Sequence, residues 1–119
     1  MLNIGRRHFY GPYSFEDWTP TNEAGIYAIL TGTGLLLNAE DLLYLGMSRN
    51  FADGRISRYL YAYRSWIENS EPRGNLFIAT YPMPFASELQ LALEEEKLLK
   101  LLNPVCNQLH SPVMRSLFR

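Results

Sequence analysis

Residues 25–30 read Gly-Ile-Tyr-Ala-Ile-Leu, and residues 42–47 read Leu-Leu-Tyr-Leu-Gly-Met. Both runs are rich in the bulky residues that suit a pleated surface. Alternation puts Ile26, Ala28 and Leu30 on one face of the first strand, with Tyr27 and Ile29 on the other. In the second strand Leu43 and Leu45 share a face and Tyr44 takes the opposite one. The connection carries Gly32 and Gly34 and is short, so the two strands are expected to pair antiparallel.

Outward from this hairpin, residues 50–54 form a polar turn, with Asp53 or Ser48 placed to cap a following helix. A helix is predicted over residues 55–68, where Ile56, Leu60, Tyr63 and Ile67 make an apolar stripe. Arg55, Arg58, Tyr59, Ala62 and Trp66 make the adjoining one. A third strand, 75–81, is stopped by Pro82 and Pro84. The last helix, 88–102, opens with the capping-box spacing Ser87/Gln90 and closes at Asn103-Pro104. The order β-β-α-β-α predicts an α+β domain over residues 25–108, with a small three-stranded antiparallel sheet flanked by helices. Residues 1–24 read as an irregular aromatic arm packed on the core, because Gly11-Pro12 and Pro20 are turn signals. Residues 109–119 are a tail with no assigned structure.

The chain has 119 residues, 47% apolar and 19% charged, which fits one globular domain. A single cysteine, Cys106, allows no internal disulfide, and no Cys/His spacing points to zinc. Without a signal-like or membrane-spanning run, a cytoplasmic protein is the default expectation and a membrane partner is not. The net charge of −1 does not by itself advertise nucleic-acid binding. The distribution says more: Arg49, Arg55, Arg58, Arg64 and Arg73 fall in one stretch and could form a local phosphate-facing patch or simply a solvated face.

Glu95 breaks the pattern of its own helix. At about 100° per residue, Leu91, Ala92, Leu98, Leu99 and Leu102 all fall within about 60° of it, so it sits at the centre of the apolar face. Glu94 and Glu96 lie to either side, where water can reach them. An inward carboxylate is costly unless an arginine or a metal ion pairs with it, or a proton neutralises it. Glu88 shares that face, but it stands in the first helical turn, where the macrodipole favours a carboxylate.

Gly25-Ile26-Tyr27 followed by Tyr44-Leu45-Gly46 resembles the paired motif of the GIY-YIG endonucleases. The resemblance extends to Arg55 after the second motif, Tyr59 one helical turn on, Glu95 on a later helix, and an ending that reads Pro104-Val105-Cys106-Asn107. It covers roughly residues 24–108 and implies a metal-dependent nuclease. Glu95 would then be the ligand of Mg²⁺ or Mn²⁺, Tyr27 and Tyr44 would orient or deprotonate the attacking water, Arg55 would hold the scissile phosphate, and Tyr59 would share the site. Arg49 and Arg58 would be further substrate contacts, while Gly25, Gly46 and Asn107 would be structural. The chain departs from the family in four ways: Met47 stands where members often carry Lys, the spacing to Arg55 is one residue longer, the loop between the two tyrosines is longer than in the shortest members, and no separate DNA-binding domain is expected. The implied partner is nucleic acid, DNA ahead of RNA, with a homodimer or a partner protein supplying targeting. Two rival readings are a GIY-YIG-fold nucleic-acid-binding module without catalysis and a protein-interaction domain using the aromatic residues 9–18.

Overall fold

A computed structural model describes residues 1–33, 37–57 and 60–108. Five strands, β1 (Leu2–Ile4), β2 (Arg7–Ser14), β3 (Gly25–Thr31), β4 (Leu42–Ser48) and β5 (Leu76–Pro82), form one antiparallel sheet in the order β1-β2-β5-β3-β4. Helices α1 (Tyr63–Asn69), α2 (Glu88–Leu102) and α3 (Val105–Gln108) complete an α+β fold. No helix among the described residues is long and apolar enough to cross a membrane.

The sheet has five strands rather than three, because residues read as an irregular arm supply β1 and β2. Their alternation was hidden by a bulge between Tyr10 and Tyr13, where Gly11 takes a φ of +106°. A bulge adds one residue to a strand and so breaks the period of two on which a strand is recognised. A second irregularity lies between Ile29 and Leu30 of β3: Ile29 pairs with Tyr44 but Leu30 with Leu42. Leu43 is the extra residue. It packs with Tyr27, Ile29 and Trp66, while Leu45 packs with Ile26 and Ala28, so the two leucines do not share a face.

Both faces of the sheet are covered. Phe9, Ile26, Ala28, Leu30, Leu45 and Ala79 pack with Leu98 of α2 on one face. Tyr27, Ile29, Leu43 and Ile78 pack with Trp66 of α1 and Cys106 of α3 on the other. Helix α2 has the predicted bounds, and its capping box is formed: Ser87 Oγ accepts from Gln90 N at 3.1 Å, and Ser87 N donates to Gln90 Oε1 at 2.7 Å. Asn103 ends it in the left-handed conformation.

The first helix is shorter than expected. It begins at Tyr63, residue 55 is irregular, and residues 56–57 and 60–62 are bends and turns. Apolar residues three or four apart suit a chain of turns as well as a helix, so the stripe Ile56–Leu60–Tyr63–Ile67 did not discriminate. The buried residue of α1 is Trp66, whereas Tyr63 and Ile67 are half-buried. Arg58, Tyr59 and the tail 109–119 lie outside the described residues.

Candidate active site

The cross-strand register brings the two motif tyrosines together. Tyr27 stands opposite Gly46, and Ile29 stands opposite Tyr44. Paired residues share a face, and so do residues two apart, which places both tyrosines on the α1 side. Their ring centroids are 6.1 Å apart, and Trp66 holds both rings, 6.4 Å from Tyr27 and 5.3 Å from Tyr44. Gly46 leaves room for this: a Cβ there would stand 2.5 Å from Tyr27 Oη and 2.7 Å from Cε1. Gly25 is equally crowded, since a Cβ would meet Phe51 Cζ at 2.8 Å.

Glu95 is 3% exposed and lies on the buried side of α2 with Leu91 and Leu98. It lines a cleft of about 570 Å³ together with Tyr27, Tyr44, Gly46, Met47, Arg49, Arg55 and Tyr61. Its neighbours differ from it and from each other. Glu96 is exposed and 3.4 Å from Lys100. Glu94 is largely covered and makes an ion pair with Arg7 at 2.5 Å, so it is not the solvated carboxylate that the helical plot implied. Glu88 stands at the cleft mouth, exposed, with Arg49 at 3.9 Å.

Asn107 anchors the edge strand of the site. Its side-chain Oδ1 accepts from Leu45 N at 2.9 Å, and its Nδ2 donates to Leu45 O at 2.9 Å. Leu45 is in β4, which among the described residues has no strand on its outer side. The amide therefore satisfies one donor and one acceptor that an edge strand leaves open.

The arginines come from the segment after β4. Asn50 caps the 3-10 turn Phe51–Asp53 by accepting from Ala52 N at 2.9 Å, Ser48 Oγ accepts from Asn50 N at 3.2 Å, and Gly54 ends the turn at φ +85°. Asp53 Oδ1 then accepts from Arg55 N at 2.9 Å. Phe51, buried, fixes this turn: its N donates to Glu23 O at 2.9 Å and its ring meets Trp18 edge-on at 6.4 Å. Arg49 and Arg55 themselves are about three-quarters exposed and reach into water over the cleft. Arg55 sits in irregular chain after the turn at Gly54 rather than opening a helix. Tyr61, exposed at the rim, was not singled out from the sequence. Its only signal was its place one residue off the predicted stripe.

Burial holds the Tyr27 phenol well above its ordinary value, and Tyr44, the Glu95 charge and a hydrogen bond with Tyr44 push it the same way. Tyr27 is therefore a neutral hydrogen-bonding group at physiological pH, not a ready base. Among the described residues no three His, Cys, Asp or Glu side chains gather as a cation cage. A buried carboxylate facing a roomy cleft fits a hard cation that keeps most of its waters, and Glu95 is the buried carboxylate on the cleft that could hold one. No known family model, curated protein or solved structure matches this chain.

Proposed function

We propose that the chain is a metal-dependent endonuclease of the GIY-YIG type that hydrolyses phosphodiester bonds of nucleic acid, DNA ahead of RNA. The observation that carries this reading is the convergence of Tyr27, Tyr44, Arg55 and the buried Glu95 on one cleft. Four separate segments supply these groups, and a carboxylate 3% exposed on an apolar helix face costs stability that a role at the cleft would explain.

Mg²⁺ or Mn²⁺ held by Glu95 would neutralise charge on the scissile phosphate. Arg55 contributes a planar fork that grips two phosphate oxygens, and Arg49 approaches from the same rim. Tyr27, kept neutral, orients the attacking water by hydrogen bonding rather than by removing its proton. Tyr44 fixes the Tyr27 hydroxyl. Gly46 and Asn107 hold β4, the strand that carries Tyr44 and lies against the Tyr27 ring, so the water and the phosphate would meet at a fixed separation. The deciding experiment is nicking of supercoiled DNA with Mg²⁺ or Mn²⁺, comparing the parent with Glu95→Gln. Activity in the parent that survives in the variant overturns the assignment. A second reading, binding without catalysis, draws on Met47, an apolar side chain lining the cleft. It predicts metal-independent binding and no nicking by the parent.

A further inference from the structure

A second cleft, of about 420 Å³, opens beside the first and is lined by Tyr10, Tyr13, Asp17, Trp18, Glu23 and Thr80 among others. Register fixes the relation between the two. Tyr10 pairs with Thr80, Thr80 with Tyr27, and Tyr27 with Gly46. These four residues form one row across β2, β5, β3 and β4 on a single face of the sheet. With strands about 4.8 Å apart, Tyr10 stands roughly 10 Å from Tyr27, about three stacked nucleotides at ~3.4 Å each.

The bulge in β2 builds this cleft. In a regular strand, residues three apart face opposite sides. Here Tyr10 pairs with Thr80 and Tyr13 with Ile78, which are two apart, so both tyrosines face the same way. They are 51% and 45% exposed, so a face of each ring is open to a ligand. Trp18 adds a third ring, seated on Phe51.

We infer that this cleft takes the base of an unpaired nucleotide in the strand being cut. The inference rests on the nucleic-acid reading of the neighbouring cleft and names what the substrate must offer. Exposed aromatic faces stack bases without regard to sequence. Asp17 and Glu23 bring negative charge, which repels phosphate and accepts hydrogen bonds from exocyclic amino groups. Cytosine, adenine and guanine carry such groups, whereas thymine does not. The cleft therefore favours an amino-bearing base, and the substrate carries a single-stranded or unpaired segment next to the scissile bond.

The test is fluorescence anisotropy with dye-labelled short oligodeoxycytidylate and oligothymidylate, in chelator so that nothing is cut. The parent is expected to bind the cytidylate several-fold more tightly. Tyr10→Ala/Tyr13→Ala is expected to lose about fivefold to hundredfold in affinity, while Tyr10→Phe/Tyr13→Phe keeps the rings and the binding. Asp17→Asn is expected to narrow the gap between the two oligonucleotides. A double-alanine variant that melts like the parent and binds like the parent overturns the inference, as does a parent that binds neither oligonucleotide. Because the assay needs no metal and no turnover, a parent that does not nick would sink the nuclease reading, and a Glu95→Gln variant that still nicks would sink only the role of Glu95; either leaves this result standing by itself.

Discussion

Tyr27 and Gly46 face each other across β3 and β4, and the phenol ring fills the space where a side chain on residue 46 would be. The position of the ring, and of its hydroxyl in the cleft, depends on that missing side chain. Gly46→Ala is expected to destabilise the fold by about 1–3 kcal/mol, the usual cost of overpacking a core. It also tilts Tyr27 out of place, so cleavage falls by more than the loss of folded protein accounts for. Urea denaturation and single-turnover rates on the same preparation check this. A variant with parental stability would mean that the ring moves aside at no cost.

Glu95→Gln is expected to abolish cleavage while leaving the fold intact or slightly more stable, because a buried charge is removed and the shape is kept. Glu96→Gln, at an exposed position, leaves both properties unchanged. Glu94→Gln separates stability from activity: it weakens the largely covered pair with Arg7 and costs about 1 kcal/mol, with turnover preserved. Thermal melts beside nicking rates distinguish the three neighbours.

Asn107→Ala leaves Leu45 N–H and C=O without their side-chain partner. An unsatisfied buried backbone group costs about 1–3 kcal/mol, so a loss of about 2–4 kcal/mol is expected, with hydrogen exchange at Leu45 accelerating before the rest of β4. An unchanged exchange rate there would contradict the anchoring role.

Arg55→Ala is expected to lose most of the single-turnover rate with a melting temperature like the parent's, because the side chain is about three-quarters exposed and its pair with Asp53 is a weak surface one. Arg58→Ala should weaken binding only modestly, as a peripheral phosphate contact does. The opposite ranking would place the phosphate grip at Arg58.

Burial raises the Cys106 thiol to about 11. Its folded value exceeds its unfolded one, so the neutral thiol contributes stability that is complete below pH ~9 and is lost as pH climbs toward 11. Stability measured between pH 8 and 11 should therefore fall more steeply for the parent than for Cys106→Ala. Equal slopes would show that the thiol titrates normally.

What the sequence disclosed and what it hid follow from periodicity. The hairpin 25–30/42–47 and helix 88–102 have uninterrupted patterns with clear stops, and Glu95 stood out because every residue around it obeyed the rule it broke. Strand β2 was missed because Gly11 and Pro12 sit in the bulge and erase the alternation that Phe9, Tyr10 and Tyr13 would otherwise show, and β1 because its 3 residues are too few to display a period. Leu43 was assigned to the wrong face for the same reason, since one extra residue inverts everything beyond it. The long first helix was an over-reading of a segment in which Ile56 and Ala62 are buried without a continuous helix around them. Tyr27 and Tyr44 could be placed on neighbouring strands from the sequence, but their register needed the structure, as did the shared cleft.

The hydrogen bonds from Asn107 to Leu45 span 62 residues of chain. Synthesis runs from the N-terminus, so β1–β5 and α2 are all made before the residue that seals the β4 edge leaves the ribosome. Until then the sheet exposes an open ladder beside the motif strand, the kind of surface on which another nascent chain could pair. The edge of β4 is thus closed by a residue made after every other strand and long helix described, and the strand carrying Tyr44 becomes secure only once α3 has been made.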